Sequence, residues 1–124
     1  MDELVEWLRA QLDEDERIAR SCARTDWWEH PVNWVSAAPM HRVALVAHDG
    51  DRRHIVEHDP ARVLREIDAD RALIADYVSA QETVDAIAHP DMYDVGRAQG
   101  LEDAVRRRAS AYDQRPGYRE EWRP

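Results

Sequence analysis

Apolar residues recur with a period close to 3.6 positions along the middle of the chain, which predicts one long helix. The repeating positions are Val63, Leu64, Ile67, Ile74, Tyr77, Val78, Val84 and Ile87. Asp59 suits the N-cap because its carboxylate accepts hydrogen bonds from the free amides of a first helical turn. Pro60 suits the first helical position, where no amide hydrogen is needed. We therefore predict a helix that begins after Asp59 and continues until residues 89–90 stop it.

Two further helices are predicted towards the ends of the chain. Over residues 2–24 the apolar stripe consists of Leu4, Leu8, Leu12, Ile18, Ala19 and Cys22. Residues 91–99 are predicted to form a loop, and a last helix follows Gly100 with Leu101, Ala104, Val105 and Tyr112 on one side. Residues 118–124 are predicted to dock on the body as an extended tail, because they carry aromatic side chains that are costly to leave in water.

Residues 42–47 are apolar and include β-branched side chains, which predicts a strand. Its partner stays open between residues 32–35, paired across residues 36–40, and residues 53–57, returning after the Asp-Gly turn signal at positions 49–50.

A third alternative is that Asp51 caps a short helical turn over residues 52–58. We favour the first hairpin together with this turn. The predicted fold class is α+β, with an N-terminal helix, a small β-hairpin, a long central helix, a short C-terminal helix and the docked tail.

Composition narrows the class of protein. A length of 124 residues predicts a single domain spanning residues 1–124. The chain has one cysteine, no apolar run near the roughly 20 residues that span a bilayer, and no signal-peptide pattern, so we expect a cytoplasmic protein without membrane contact. The net charge of −9 argues against binding to a nucleic-acid backbone.

Tryptophan is concentrated in one stretch, at Trp27, Trp28 and Trp34. Such a cluster either covers the end of the helical core or forms a stacking platform for a base or a sugar. We predict that these three indoles, with Tyr118 and Trp122 of the tail, bind another protein.

One charged pair falls close to an apolar stripe. Asp70 and Arg71 lie between Ile67 and Ile74 on the long helix. Charged groups near a core face need hydrogen-bond partners, so these two residues are predicted to form a buried polar network.

Residues 54–58 match the inverted zinc-protease pattern H-x-x-E-H. Two imidazoles one helical turn apart can bind one ion, but a catalytic zinc needs a third protein ligand that nothing downstream singles out. We therefore predict no metal site, no cofactor and no catalytic residue. If a metal binds at all, its ligands are His54, Glu57 and His58.

Three blocks of the chain resemble a family of short actinobacterial proteins of unknown function, whose members also occur on phages and other mobile elements. The blocks are residues 4–16, 54–66 and 118–124, in the same order. The middle block is also similar to a short sequence pattern in other small phage proteins. In that pattern a short helical turn is followed by an Asn or Asp, then by a Pro and an apolar helix. The resemblance implies no activity, cofactor or catalytic residue.

Three functions remain open from the sequence. The leading hypothesis is a non-catalytic interaction or regulatory factor that binds another protein. The second is a metal-binding protein or small metal-dependent hydrolase that uses His54, Glu57 and His58. The third is an acidic mimic of nucleic acid that acts on a DNA-binding partner.

Overall fold

The computed structural model describes residues 1–30, 33–37 and 41–124. These residues form four α-helices and a three-stranded antiparallel sheet, which confirms the α+β class. The chain divides into two compact units. We call Met1–Leu12 with Asp68–Pro124 the terminal unit, and Asp13–Ile67 the middle unit.

The terminal unit is helical. It contains the first part of α1 (Asp2–Ser21), the second part of α3 (Pro60–Ala86), α4 (Met92–Ser110) and a closing 3-10 turn (Glu120–Trp122). Its largest side chains with less than 2% exposure are Leu4, Leu8, Leu12, Ile74 and Val105. The three leucines recur every four residues, so one stripe of α1 faces the apolar interior, as the sequence predicted.

Helix α4 corrects one prediction. Residues 91–99 are not a loop, because the helix begins at Met92 and continues through Gly100. Asp91 is its N-cap, with a side-chain oxygen 2.9 Å from the amide nitrogen of Asp94. Two glycines inside the segment lower its intrinsic helix propensity by about 1 kcal/mol each. Ala98, Val105 and Ala109 on this helix are buried. Their packing favours the helix in spite of the two glycines.

The middle unit contains the sheet. Strand β2 (Trp34–Ser36) pairs antiparallel with β3 (Arg42–Leu45), which confirms the first hairpin. Residues 32 and 38–40 of that predicted hairpin lie outside the described residues. Strand β1 (Trp28–His30), which the sequence did not predict, pairs with the other edge of β2.

The predicted turn after the hairpin is helix α2 (Asp49–Glu57). Its N-cap is His48, whose Nδ1 accepts from the amide of Asp51, so the predicted capping role of Asp51 is wrong. The helix has no buried residue, and Arg52 connects it to the strands that precede it. The Nη1 atom of Arg52 donates to Asn33 Oδ1 at 2.9 Å and to the carbonyls of Val46 and Ala47 at 2.8 and 2.9 Å.

Helix α3 begins as predicted. Asp59 Oδ1 accepts from the amide of Arg62 at 2.9 Å, and Pro60 is the first helical residue. The helix ends at Ala86, before the predicted stop at residues 89–90, and α1 likewise ends at Ser21 rather than near residue 24. Such differences arise because the carbonyl groups of the last helical turn have no following amide groups within the helix from which to accept hydrogen bonds.

Candidate functional site

The middle unit contains an apolar groove of about 290 Å³. One wall is formed by α1 and the residue directly after it, with the lining side chains Asp15, Ile18, Ala19 and Cys22. Their spacing of i, i+3, i+4 and i+7 places them on one helical face. Ile18 is 49% exposed although it is a large aliphatic residue, so this face offers apolar surface to solvent.

The opposite wall is held by the start of α3. Its lining residues are Trp27, His58, Pro60 and Val63. Asp59 fixes this wall, because its Oδ2 accepts from the amide of Trp27 at 3.1 Å while its Oδ1 caps the helix. The amide of Ala61 also donates to the carbonyl of Thr25 at 3.0 Å. One carboxylate therefore both starts α3 and fixes the backbone of Trp27, whose indole Nε1 donates to the Arg24 carbonyl at 3.2 Å.

The chemistry of the groove is that of a pocket for an apolar group. Three polar groups line it: the carboxylate of Asp15, the imidazole of His58 and the thiol of Cys22. The Cys22 thiol points back to its own helix, with its sulfur 3.7 Å from the Ile18 carbonyl oxygen. The groove thus combines apolar walls with one acidic group, and its apolar lining is typical of pockets that receive apolar groups.

The other two indoles of the tryptophan stretch lie on the sheet. Trp28 on β1 is 41% exposed. Trp34 on β2 is half-buried, and the guanidinium carbon of Arg42 lies 4.4 Å from the centroid of its ring. Because Trp28 pairs with Ser36, two residues from Trp34, both indoles project from one face of the sheet. The exposed aliphatic side chain of Leu45, opposite Trp34, shares that face.

The two predicted tail residues belong to a cluster in the terminal unit. Rings of Trp7, Tyr118 and Trp122, here called the tail cluster, have centroids 5.5 to 5.9 Å apart. Trp122 is only 6% exposed. Trp7 Nε1 donates to the Pro116 carbonyl at 3.0 Å. These contacts hold the end of the chain against α1, and their geometry is that of edge-to-face and tilted aromatic packing.

Two features near the tail cluster fix the chain end further. Gly117 has φ of 86°, and a Cβ there would lie 2.9 Å from Trp7 Nε1, so this turn requires a residue without a side chain. Arg119 donates to Glu3 at 2.5 Å, and this hydrogen bond raises the pKa of the Arg119 guanidinium. The tail therefore docks as predicted, although it closes in a 3-10 turn.

Of the two residues predicted to form a buried polar network, Asp70 has a hydrogen-bond partner on another helix. Asp70, whose side chain is 12% exposed, accepts from Arg108 Nε at 2.6 Å. Arg108 comes from α4, so the partner of Asp70 across the terminal unit is not its neighbour in sequence. Arg71 is half-buried on the same helix. The pairing joins α3 to α4 by a charge-assisted hydrogen bond.

The H-x-x-E-H segment lies on α2 and its C-cap. His54 and His58 are exposed, and their ring centroids are 4.2 Å apart. Among residues 1–30, 33–37 and 41–124, no group of three or more His, Cys, Asp or Glu side chains is arranged to hold a metal ion. Within the same residues, every helix is too short or too polar to traverse a lipid bilayer.

The sequence identified several residues that line the groove, but it did not predict that they form a groove. It placed Ile18, Ala19 and Cys22 on one stripe and Pro60 at a helix start, and it singled out Trp27. The available signal was the interruption of the α1 stripe by Asp15, since an acidic residue on an apolar face marks a place open to water. The second wall depends on the hydrogen bond from the Trp27 amide to Asp59, over 32 positions.

A sequence model described as a family of unknown function, DUF6221, matches residues 1–124. Neither the curated proteins nor the solved structures contain a match to the chain.

Proposed function

Because the chain belongs to DUF6221, a family of unknown function, we propose its role from its own surface: a non-catalytic module that binds another protein. In this proposal the groove receives one apolar side chain from a basic segment of that protein. The observation that carries the proposal is an open apolar groove of about 290 Å³ whose wall includes a carboxylate. That volume lies at the lower end of the roughly 300–1,000 Å³ typical of ligand pockets.

The charge of the partner segment follows from two observations. Asp15 supplies the acidic group of the lining, and the whole chain has a net charge of −9. A lysine or arginine next to the apolar anchor therefore gains attraction from the net negative charge of the protein as a whole. This attraction weakens with salt, because surface charges are screened over about 8 Å at physiological ionic strength.

The predicted tryptophan residues have different roles in this proposal. Trp27 forms part of the groove wall, and the exposed Trp28 with Trp34 extends the same module on the sheet face. Tyr118 and Trp122 hold the tail, so we assign them to stability rather than to partner contact. We place the protein in the cytoplasm, and its occurrence in actinobacteria and their phages remains a prediction from the resemblance.

The test uses a random peptide library displayed on phage and panned against the purified protein. Peptides that survive counter-selection against Ile18→Arg are expected to share an apolar residue beside lysine or arginine. Ile18→Arg is expected to weaken their binding at least about tenfold, the effect of losing about 1.4 kcal/mol. Ile18 is half exposed, so this charge enters the groove without disturbing a buried position.

Ile87→Arg is the matched control, because Ile87 is also a large aliphatic residue, 43% exposed, but belongs to the terminal unit and does not line the groove. It is expected to leave peptide affinity unchanged. Asp15→Asn is expected to weaken binding and to flatten its dependence on salt. The proposal is wrong if panning enriches nothing over the starting library, or if Ile87→Arg abolishes binding while Ile18→Arg does not.

A further inference from the structure

Helix α2 ends in two imidazoles that face each other. His54 and His58 are one turn apart, both are exposed, and their ring planes differ by 32° with centroids 4.2 Å apart. Side chains at i and i+4 lie one above the other on a helix, so the two rings share one side of α2.

The backbone selects which nitrogen of His58 is available. Its Nδ1 lies 2.8 Å from the carbonyl oxygen of His54. A carbonyl oxygen only accepts hydrogen bonds, so Nδ1 carries the proton and Nε2 carries the lone pair. Metal-binding histidines in proteins generally have this arrangement, in which the non-ligating nitrogen donates to a carbonyl or carboxylate and fixes the ring. His58 is thus preorganised as a ligand through Nε2.

We propose that His54 and His58 together bind a divalent transition-metal ion of the copper and nickel class, with water completing its coordination. Two imidazole nitrogens and water oxygens form the mixed nitrogen and oxygen set that Cu²⁺ and Ni²⁺ take in tetragonal geometry. A structural zinc site requires four protein ligands and a catalytic one three. The described residues do not supply such a group around this pair, so the site is not that of a zinc protease.

The ion stabilises a part of the protein that is otherwise weakly anchored. Helix α2 has no buried residue, and His58 is its C-cap. A ligand that binds only the folded helix adds stability in proportion to the logarithm of its concentration over Kd. His58 also lines the groove whereas His54 does not, so the metal site and the groove share one residue but have separate variants.

Calorimetric titration of the full chain with NiCl₂ tests the proposal, with MgCl₂ as an ion that prefers oxygen ligands. One Ni²⁺ site and no Mg²⁺ binding are expected. His54→Gln removes one of two ligands and is expected to weaken Ni²⁺ binding at least about tenfold, since even changes beyond the ligands cost 10- to 100-fold. Circular dichroism checks that this exposed substitution leaves the helix content unchanged.

Three controls keep the result interpretable. The double variant Arg53→His with His54→Gln keeps the number of histidines but sets the pair five residues apart on different faces, and it is expected to bind as weakly as His54→Gln. His89→Gln, at an exposed histidine of the terminal unit, is expected to leave the affinity unchanged. Cys22→Ser is also expected to have no effect, although Cys22 and His58 line the same groove.

The proposal is overturned by any of three results. The first is the absence of Ni²⁺ binding to the wild-type chain. The second is equal affinity of the wild type and the double variant, which means an adventitious ion only. The third is a loss with Cys22→Ser but not with His54→Gln, which places the ion in the groove. Peptide binding depends on Ile18 and not on His54, so either proposal can fail alone.

Discussion

The two units use the same residue type in opposite ways. In the terminal unit, Trp7 and Trp122 pack ring against ring, and Trp122 is 6% exposed. In the middle unit, Trp28 is 41% exposed and Trp27 forms the wall of an open groove. The presence of a tryptophan in the sequence therefore does not by itself show whether the residue stabilises the fold or is available for binding. What differs is whether other rings and a docked chain segment cover it, which decides between stability and availability.

Truncating one indole from each unit gives the largest expected difference. Trp122→Ala removes a buried aromatic side chain and is expected to lower the free energy of unfolding by about 3 kcal/mol or more. Trp28→Ala, at an exposed position, is expected to lower it by about 1 kcal/mol or less. Urea unfolding followed by far-ultraviolet circular dichroism measures both. Equal losses would mean that the two indoles are covered alike.

The second prediction concerns the carboxylate that orients Trp27. Asp59→Ala removes the cap of α3 together with the acceptor of the Trp27 amide, so we expect a loss of about 2 kcal/mol. Asp59→Asn keeps one acceptor oxygen and is expected to lose about half as much. Asp91→Ala removes the cap of α4 alone and serves as the control, with an expected loss of about 1 kcal/mol. The measurement is again the free energy of unfolding in urea, and equal losses for Asp59→Ala and Asp91→Ala would contradict the second role of Asp59.

The smallest expected effect is a pH dependence from the core of the terminal unit. Tyr77 is 3% exposed, and burial, followed by the nearby carboxylates of Glu102 and Asp2, raises the pKa of its phenol above the usual 10.0. The folded chain therefore keeps this proton at pH values where the unfolded chain has lost it. The contribution is fully present below about pH 10 and is lost as the pH rises through the folded-state pKa, with a slope of up to about 1.4 kcal/mol per pH unit.

Unfolding in urea between pH 9 and pH 11 measures this slope. Tyr77→Phe removes the titrating group and is expected to flatten it, whereas Tyr93→Phe, at a tyrosine that is 75% exposed, is expected to leave it unchanged. A slope that survives Tyr77→Phe would assign the alkaline loss to other groups.

Local signals explain which parts of the fold were predictable. The start of α3 needed only Asp59 and Pro60, and the leucine stripe of α1 needed only its own spacing. Local signals were misleading at α4, because Gly96 and Gly100 have low helix propensity and yet lie inside a helix in the folded protein. Strand β1 is similar, since three residues gain a strand conformation only through pairing with β2.

The sequence by itself determined the α+β class, the capped beginning of the long helix, the hairpin around β3 and the docking of Trp122. Each follows from interactions within a few residues or from the cost of leaving an indole in water. Only the tertiary structure decided that Asp70 pairs with Arg108, and that Trp27 meets the α1 stripe to form a groove. Such pairings join residues far apart in the chain, and their energy depends on which surfaces the fold brings together rather than on neighbouring residues.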